Sequence, residues 1–188
     1  MRMGIPYKIV GALRFYDREE VKDALAILAL ILNPADEVAF RRIINKPARG
    51  IGDVSLEKIL KEAEREYGNC PAGLRNSVEI LRGKAKQGAE DFLFWYAAAL
   101  ENLEKTDLAE LTQTALKDSG ILEYHRQQDQ IALTQKVNNL EELVNATSVY
   151  PPGRVGLSLF LESLELDPTR IGKQDPSDKP GVTLITMH

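Results

Sequence analysis

The sequence contains few of the residues that build disulfide frameworks and metal sites. Its 188 residues include one cysteine, Cys70, and two histidines, His125 and His188, which lie far apart along the chain. A single cysteine excludes an internal disulfide framework and an all-cysteine zinc site, and the separated histidines disfavour a mixed His/Cys site. The longest apolar run, residues 24–32, has nine residues, whereas a membrane-spanning helix needs about 20. We therefore expect a buried helix there, no metal site and no membrane association.

Motifs of nucleotide-binding and hydrolytic enzymes are also missing. A phosphate-binding P-loop requires G-x-x-x-x-G-K-[ST]. The pairs Gly83-Lys84 and Gly172-Lys173 both lack the first glycine and the final hydroxyl residue. No G-x-G-x-x-G run follows an expected strand, and no G-x-S-x-G nucleophile turn occurs. We therefore expect no catalytic residue and no bound cofactor in this chain by itself.

The charge balance is mildly acidic. Lys and Arg number 24 and Asp and Glu number 28, which gives a formal net charge of −4. This balance excludes a uniformly basic nucleic-acid-binding protein, so any nucleic-acid contact must be a local patch. Apolar residues make up 44% of the chain, which is enough for a hydrophobic core and excludes wholesale disorder.

The spacing of apolar residues predicts a mainly α-helical, multi-helix fold. The first helix is expected over residues 17–33 with Asp17 as its N-cap, and the next starts near Asp36. Residues 69–73 are expected to form a loop. A later long helix carries an apolar stripe that includes Phe92, Asp107 is expected to cap another, and helices follow as far as residue 166. Residues 167–181 hold three prolines and several charges and are expected to form a loop.

Residues 7–10 and 182–187 are rich in β-branched side chains and are expected to be short strands. Two lone strands do not make a stable sheet, so we expect both to belong to a sheet whose other strands are absent.

The stretch KPARGIGDVSLEKIL, residues 46–60, carries the most information about binding. A helix ends at a proline, a tight turn with Gly50 and Gly52 follows, and a new helix begins near Asp53 or Ser55. Glycines permit a positive φ and a close backbone approach, and the unpaired N–H groups at a helix N-terminus attract anions. With Ile51 anchored in the core, this pattern predicts a helix-hairpin-helix-like turn that grips one phosphate strand without reading bases. The alternative is that the glycines only make a tight interhelical turn.

A cluster of basic residues surrounds this turn. Arg41, Arg42, Lys46 and Arg49 lie between residues 38 and 52, where no acidic residue occurs. We therefore predict that these four residues, together with the turn, bind the duplex DNA backbone and that the affinity falls as salt rises.

Two long stretches resemble a known helicase family. YKIVGALRFYDREEVKDA (residues 7–24) and NPADEVAFRRIINKPARGIG (residues 33–52) resemble the UvrD/Rep/PcrA family of superfamily-one DNA helicases. The segments KDSGILEY (117–124), NNLEELVNA (138–146) and GVTLITMH (181–188) agree with this resemblance.

The resemblance implies a 2B subdomain, the insertion of the second RecA-like motor domain. Residues 1–16 and 182–188 would then be strand segments of the α/β 2A domain, 17–166 the helical 2B subdomain and 167–181 a linker. The chain ends inside the family's motif V, so it is expected to be a piece of a longer protein. The resemblance implies a parent that is an ATP-dependent 3′-to-5′ DNA helicase using ATP and Mg, is cytoplasmic and nucleoid-associated, and works in DNA repair or replication.

The resemblance also assigns residues one at a time. Gly50, Ile51 and Gly52 match the family's duplex-contacting Gly-Ile-Gly turn, and Ser55 stands where the family often has threonine, a hydroxyl suited to phosphate. Residues near the single-strand path or the motor interface would be Arg14, Arg18, Lys22, Thr186 and His188. Ala12 departs from the family, which usually has glycine there.

Two other functions remain open at this point. The acidic helical faces between about residues 86 and 166 could make the chain a protein-interaction module for repair or replication partners. An enzyme acting alone is disfavoured by the missing P-loop. The terminal strands could pair with each other, lie disordered, or drive self-association through their open edges.

Overall fold

The structure is a computed structural model that describes residues 15–166, together with the backbone of 7–9 and 182–184. Over residues 15–166 the chain forms helices α1 to α9, which span Glu19–Leu32, Glu37–Ile43, Asp53–Arg65, Cys70–Ser77, Gly83–Asn102, Leu108–Asp118, Ile121–Ala132, Lys136–Thr147 and Gly153–Glu165. A short 3₁₀ turn, Val78–Ile80, follows α4. The expectation of a mainly helical protein is confirmed.

Helix α1 is the central helix of the fold. Its apolar second half is buried on nearly every side, as the apolar run predicted, and α1 contacts α2, α5, α6, α7, α8 and α9. The expected N-cap was wrong: Arg18 occupies that position, and the Asp17 carboxylate pairs with Lys22 at 3.0 Å.

Helix N-caps fix the starts of three further helices. The side chains of Asp36, Asn69 and Asp107 each accept a hydrogen bond from a backbone N–H in the first turn of α2, α4 and α6. The cap at Asp107 matches the sequence prediction, and the helix predicted to start near Asp36 has that residue as its N-cap. Helix α4 begins at Cys70, where the sequence suggested a loop, because Asn69 caps it and Pro71 suits the first turn.

Aromatic side chains of α5 form the middle of the core. Phe92, Trp95 and Tyr96 are all buried, and the Phe92 ring packs edge-on against Phe40 of α2 at a centroid distance of 5.7 Å. The Tyr96 hydroxyl donates to the Leu30 carbonyl of α1 at 3.2 Å. The core therefore joins the turn-bearing end of α2 to the long helix α5.

Strands β1 (Tyr7–Ile9) and β2 (Val182–Leu184) pair in parallel, with Tyr7 opposite Val182. Their assignment to a RecA-like 2A domain, the domain limits and the self-association of these strands stay predictions. The predicted loop at 167–181 and the site residues Arg14, Thr186 and His188 lie outside the described residues.

Membrane-spanning helices and metal-binding clusters are both absent from the described residues. None of their helices is long and apolar enough to cross a membrane. Residues 15–166 also contain no group of three or more His, Cys, Asp or Glu side chains arranged to hold a metal ion.

Candidate nucleic-acid interface

The Gly-Ile-Gly turn lies at the surface and is anchored by its central side chain. Gly50 and Gly52 are exposed, whereas Ile51 is 2% exposed and packs in the core. Gly50 has a φ of +77°, a conformation that favours glycine. Gly52 is the N-cap of α3, and a Cβ added there would meet no atom within 4 Å. The turn therefore presents an open backbone surface at the start of a helix.

The first N–H groups of α3 are free within the described part of the chain. No residue in 15–166 accepts a hydrogen bond from the N–H of Gly52, Asp53 or Val54, and all three residues are exposed. The N–H groups of Ser55 and Leu56 donate to the Gly52 carbonyl at 2.9 Å. The geometry suits an anion, although the Asp53 carboxylate in the same turn opposes one.

Arg49 does not stand where the sequence prediction put it. Its side chain was expected to bind phosphate, but the residue is only 7% exposed. Nη1 donates to the carbonyls of Ile43 (3.0 Å), Ile44 (3.2 Å) and Lys46 (2.7 Å), and Nη2 donates to the Ser119 carbonyl at 2.5 Å. Burial lowers the pKa of Arg49 to about 10. Arg49 therefore holds the turn against the α6–α7 junction, and both terminal nitrogens of its guanidinium are engaged by backbone carbonyls.

Three other predicted cations are already paired. Arg41 contacts Glu37 at 2.6 Å and Glu57 at 2.7 Å. Arg42 contacts Asp23 at 2.7 Å. Lys46 contacts both Glu19 (2.9 Å) and Asp23 (2.8 Å). All of their carboxylate partners lie outside the 38–52 window, with Glu37 directly beside it, so a count within the window overestimates the free positive charge.

Asp23 anchors the segment that leads to the turn. Its carboxylate is fully buried and contacts Arg42, Lys46 and His125, whose Nε2 lies 3.0 Å away. Burial acts to raise the pKa of Asp23, but the hydrogen bonds from His125 and Lys46 and the charge of Arg42 outweigh it and lower the pKa. Glu19, which also binds Lys46, has its pKa lowered to about 2 by hydrogen bonds from Lys46 and Lys136.

Sequence reasoning assigned no role to His125 and gave Asp23 none. His125 lies 102 residues from Asp23, and no local pattern indicates the pair. An acidic residue directly before the apolar stretch of a central helix is the one signal that could have indicated a buried partner.

Lys84 is a second residue that the sequence prediction missed. The position that a Cβ on Gly50 would take lies 3.2 Å from Cβ and Cγ of Lys84, so the lysine stem packs on the turn. Lys84 is exposed and makes no ion pair with any residue in 15–166. It stands in the first turn of α5, which carries no acidic residue there. The sequence signal was present as Gly83-Lys84, which we considered only as a failed P-loop.

Of the remaining predicted residues that the structure describes, Arg18 and Lys22 are engaged by other side chains. Arg18 donates to Asn139 of α8 and its guanidinium lies 5.7 Å from the Phe15 ring centroid. Lys22 pairs with Asp17. The Ser55 side chain is half-buried in the first turn of α3, and within 15–166 its hydroxyl has no hydrogen-bond partner.

Comparison with known proteins gives one family match and several relatives. The family described as "UvrD-like helicase C-terminal domain" matches residues 1–188. The chain is 34% identical over 198 residues to DNA helicase II of Escherichia coli and 39% identical over 205 residues to DNA helicase II of Haemophilus influenzae. It is 30% identical over 198 residues to the ATP-dependent DNA helicase PcrA of Bacillus subtilis. Each alignment covers 100% of this chain but only 26–27% of the relative, so the chain spans about a quarter of their length.

Proposed function

The chain belongs to the UvrD-like helicase C-terminal domain family, and from this premise we propose that its helical part is a 2B subdomain that binds the duplex DNA backbone. Contact would run through the Gly50–Gly52 turn and the first N–H groups of α3, with no base readout. The observation that carries this proposal is the open surface at Gly52, where three exposed backbone N–H groups have no acceptor within residues 15–166.

Lys84 supplies the cation in this proposal. The predicted arginines and Lys46 are engaged by carboxylates or backbone carbonyls, whereas Lys84 packs on Gly50 and is unpaired in residues 15–166. A phosphate that accepts hydrogen bonds from the N–H groups of α3 would lie within reach of its flexible side chain. The arrangement combines a helix N-terminus with one mobile positive charge.

The parent protein would be an ATP-dependent DNA helicase, as the names of its relatives describe those proteins. In that protein ATP and Mg would act in motor domains outside this chain, and the subdomain would restrain or permit unwinding through its orientation. A cytoplasmic, nucleoid-associated location and work in repair or replication belong to the same proposal.

Fluorescence anisotropy with a labelled 20-base-pair duplex tests the site on the 188-residue chain. Gly52→Leu adds a side chain where none is in contact, so it should leave the fold intact while blocking a phosphate. Lys84→Gln should weaken binding to every sequence and reduce the slope of log affinity against log salt by about 1. Lys61→Gln, which removes the same charge two turns along α3, is the matched control.

The result expected is a loss of affinity for Gly52→Leu and Lys84→Gln, with the control and the helical circular dichroism unchanged. Equal affinity for Gly52→Leu and the unaltered chain would exclude the turn as the duplex contact. A salt slope that responds to Lys61→Gln as much as to Lys84→Gln would show a diffuse interaction instead of a site.

A further inference from the structure

A small cavity lies at the end of α3 away from the Gly-Ile-Gly turn. It has a volume of about 170 Å³ and an apolar floor formed by Ile31 of α1 and by Tyr96 and Leu100 of α5. Leu100 is 40% exposed, so the floor is open to solvent. Sites for whole small-molecule ligands usually measure about 300–1,000 Å³. This cavity is therefore sized for one apolar side chain.

Two arginines stand at the rim of this cavity. Arg75 of α4 and Arg154 of α9 both line it, and no Asp or Glu does. Arg75 is exposed and makes no ion pair with any described residue, and Arg154 uses Nη1 to donate to the Leu32 carbonyl at 2.7 Å. Burial raises the pKa of Tyr96 to about 12, and the charges of both arginines act in the opposite direction on its hydroxyl. In a chain of net charge −4, the cavity is a local site of positive charge.

We propose that this cavity binds the carboxyl-terminal residue of a partner polypeptide. The last side chain of the partner, an apolar one, lies on the floor, and its α-carboxylate lies between Arg75 and Arg154. A planar guanidinium pairs with a carboxylate through two parallel hydrogen bonds, and a chain terminus offers a carboxylate directly beside a side chain. A DNA phosphate would satisfy the arginines but would leave the floor of Ile31, Tyr96 and Leu100 uncovered.

This site is separate from the proposed duplex contact. Helix α3 has 13 residues, so its two ends lie about 20 Å apart at 1.5 Å per residue. Asn69 and Ala72, which also line the cavity, follow the C-terminal end of α3, whereas Gly52 caps its N-terminal end. A partner protein and a duplex can therefore occupy the chain at the same time, and the proposal does not depend on DNA binding.

Peptide binding measured by fluorescence anisotropy tests the proposal on the 188-residue chain. The probe is a fluorescein-labelled peptide, Ser-Gly-Ser-Gly-Ser-Gly-Leu with a free carboxyl terminus, and its C-terminal amide is the comparison peptide. We expect the amide to bind at least ten-fold more weakly. Arg75→Gln and Leu100→Glu should each cost a similar factor, because one removes a carboxylate partner and the other places a like charge on the floor.

Arg65→Gln is the matched control, since Arg65 is an exposed arginine of α3 that pairs with Glu62 at 2.7 Å. Its affinity for the peptide should equal that of the unaltered chain. No binding up to 2 mM peptide, equal binding of the amide, or an unchanged affinity for Arg75→Gln would overturn the proposal. Displacement of the peptide by a 20-base-pair duplex would also overturn it, because the arginines would then serve phosphate.

Discussion

Replacing Arg49 tests whether this residue stabilises the fold or contacts DNA directly. The guanidinium bridges two parts of the fold, because Nη1 binds the carbonyls of residues 43, 44 and 46 and Nη2 binds the Ser119 carbonyl. It also lies 5.4 Å from the centroid of the Phe92 ring. Gly88 lets α5 approach closely, since a Cβ there would lie 2.5 Å from Cβ of Arg49. Arg49→Ala leaves these carbonyls without their donor and removes the bridge between the turn and the α6–α7 junction.

The expected loss of unfolding free energy on Arg49→Ala follows from the number of hydrogen bonds that the guanidinium makes and from its burial. A hydrogen bond to a charged group contributes about 1.5–3 kcal/mol, but several on one guanidinium are not additive and the desolvation of its charge offsets part of them. We expect Arg49→Ala to lower the free energy of unfolding by about 3 kcal/mol, which corresponds to a fall in Tm of about 9 °C for a domain of this size. Arg49→Lys should cost about 2 kcal/mol, because one ammonium cannot reach both groups of carbonyls.

Urea unfolding monitored by the fluorescence of Trp95, the single and buried tryptophan, measures this loss. Arg65→Ala is the control, because an exposed arginine paired on one helix should change stability by less than about 0.5 kcal/mol. If the Arg49→Ala variant keeps its urea midpoint but loses duplex affinity, Arg49 does not have this structural role. That result would restore the direct phosphate contact that the sequence suggested.

Two further predictions concern acid and backbone packing. The pKa values of Asp23 and Glu19 lie below their usual range, and that of Glu19 is about 2. The stabilisation that these two carboxylates provide is therefore complete above their unfolded pKa values of about 4. It is lost as the pH falls toward 2. Urea midpoints between pH 6 and pH 2 should therefore fall, and less steeply in Asp23→Asn. Gly73→Ala should cost about 1–3 kcal/mol by the same assay, since its Cβ would lie 2.5 Å from the Ala63 backbone nitrogen of α3.

Local patterns were sufficient to predict most of the helices. The apolar run of α1, the helix start near Asp36, the cap at Asp107 and the stripe through Phe92 depend on residues within a few turns of one another, and the structure confirms each. The start of α4 was missed although its signals are also local. Asn69 and Pro71 are also typical of a loop, but here Asn69 is the N-cap of α4 and Pro71 lies in its first turn.

Long-range pairing could not be predicted from the same information. The window around the turn contains four cations, and several of their partners are supplied by residues far along the chain, such as Asp23 for Lys46 and the Ser119 carbonyl for Arg49. A count of charged residues within a sequence window includes only neighbours along the chain, so it misses carboxylates and carbonyls that the fold brings close. The turn, by contrast, depends on local glycines and on Ile51, and these are exposed and buried as expected.

Because these cations are already paired, little free positive charge would attract DNA to the turn in the proposed function. A surface with several unpaired arginines would bind duplex tightly through counterion release, with a steep dependence on salt. Here Lys84 is the cation that packs on the turn without an ion pair in residues 15–166, and Asp53 opposes it. The attraction must then come mainly from backbone N–H groups, whose dipoles act only at short range. In the proposed function such a contact would be weak, would have a shallow salt dependence and would be easily released, as a subdomain that changes its orientation on DNA would require.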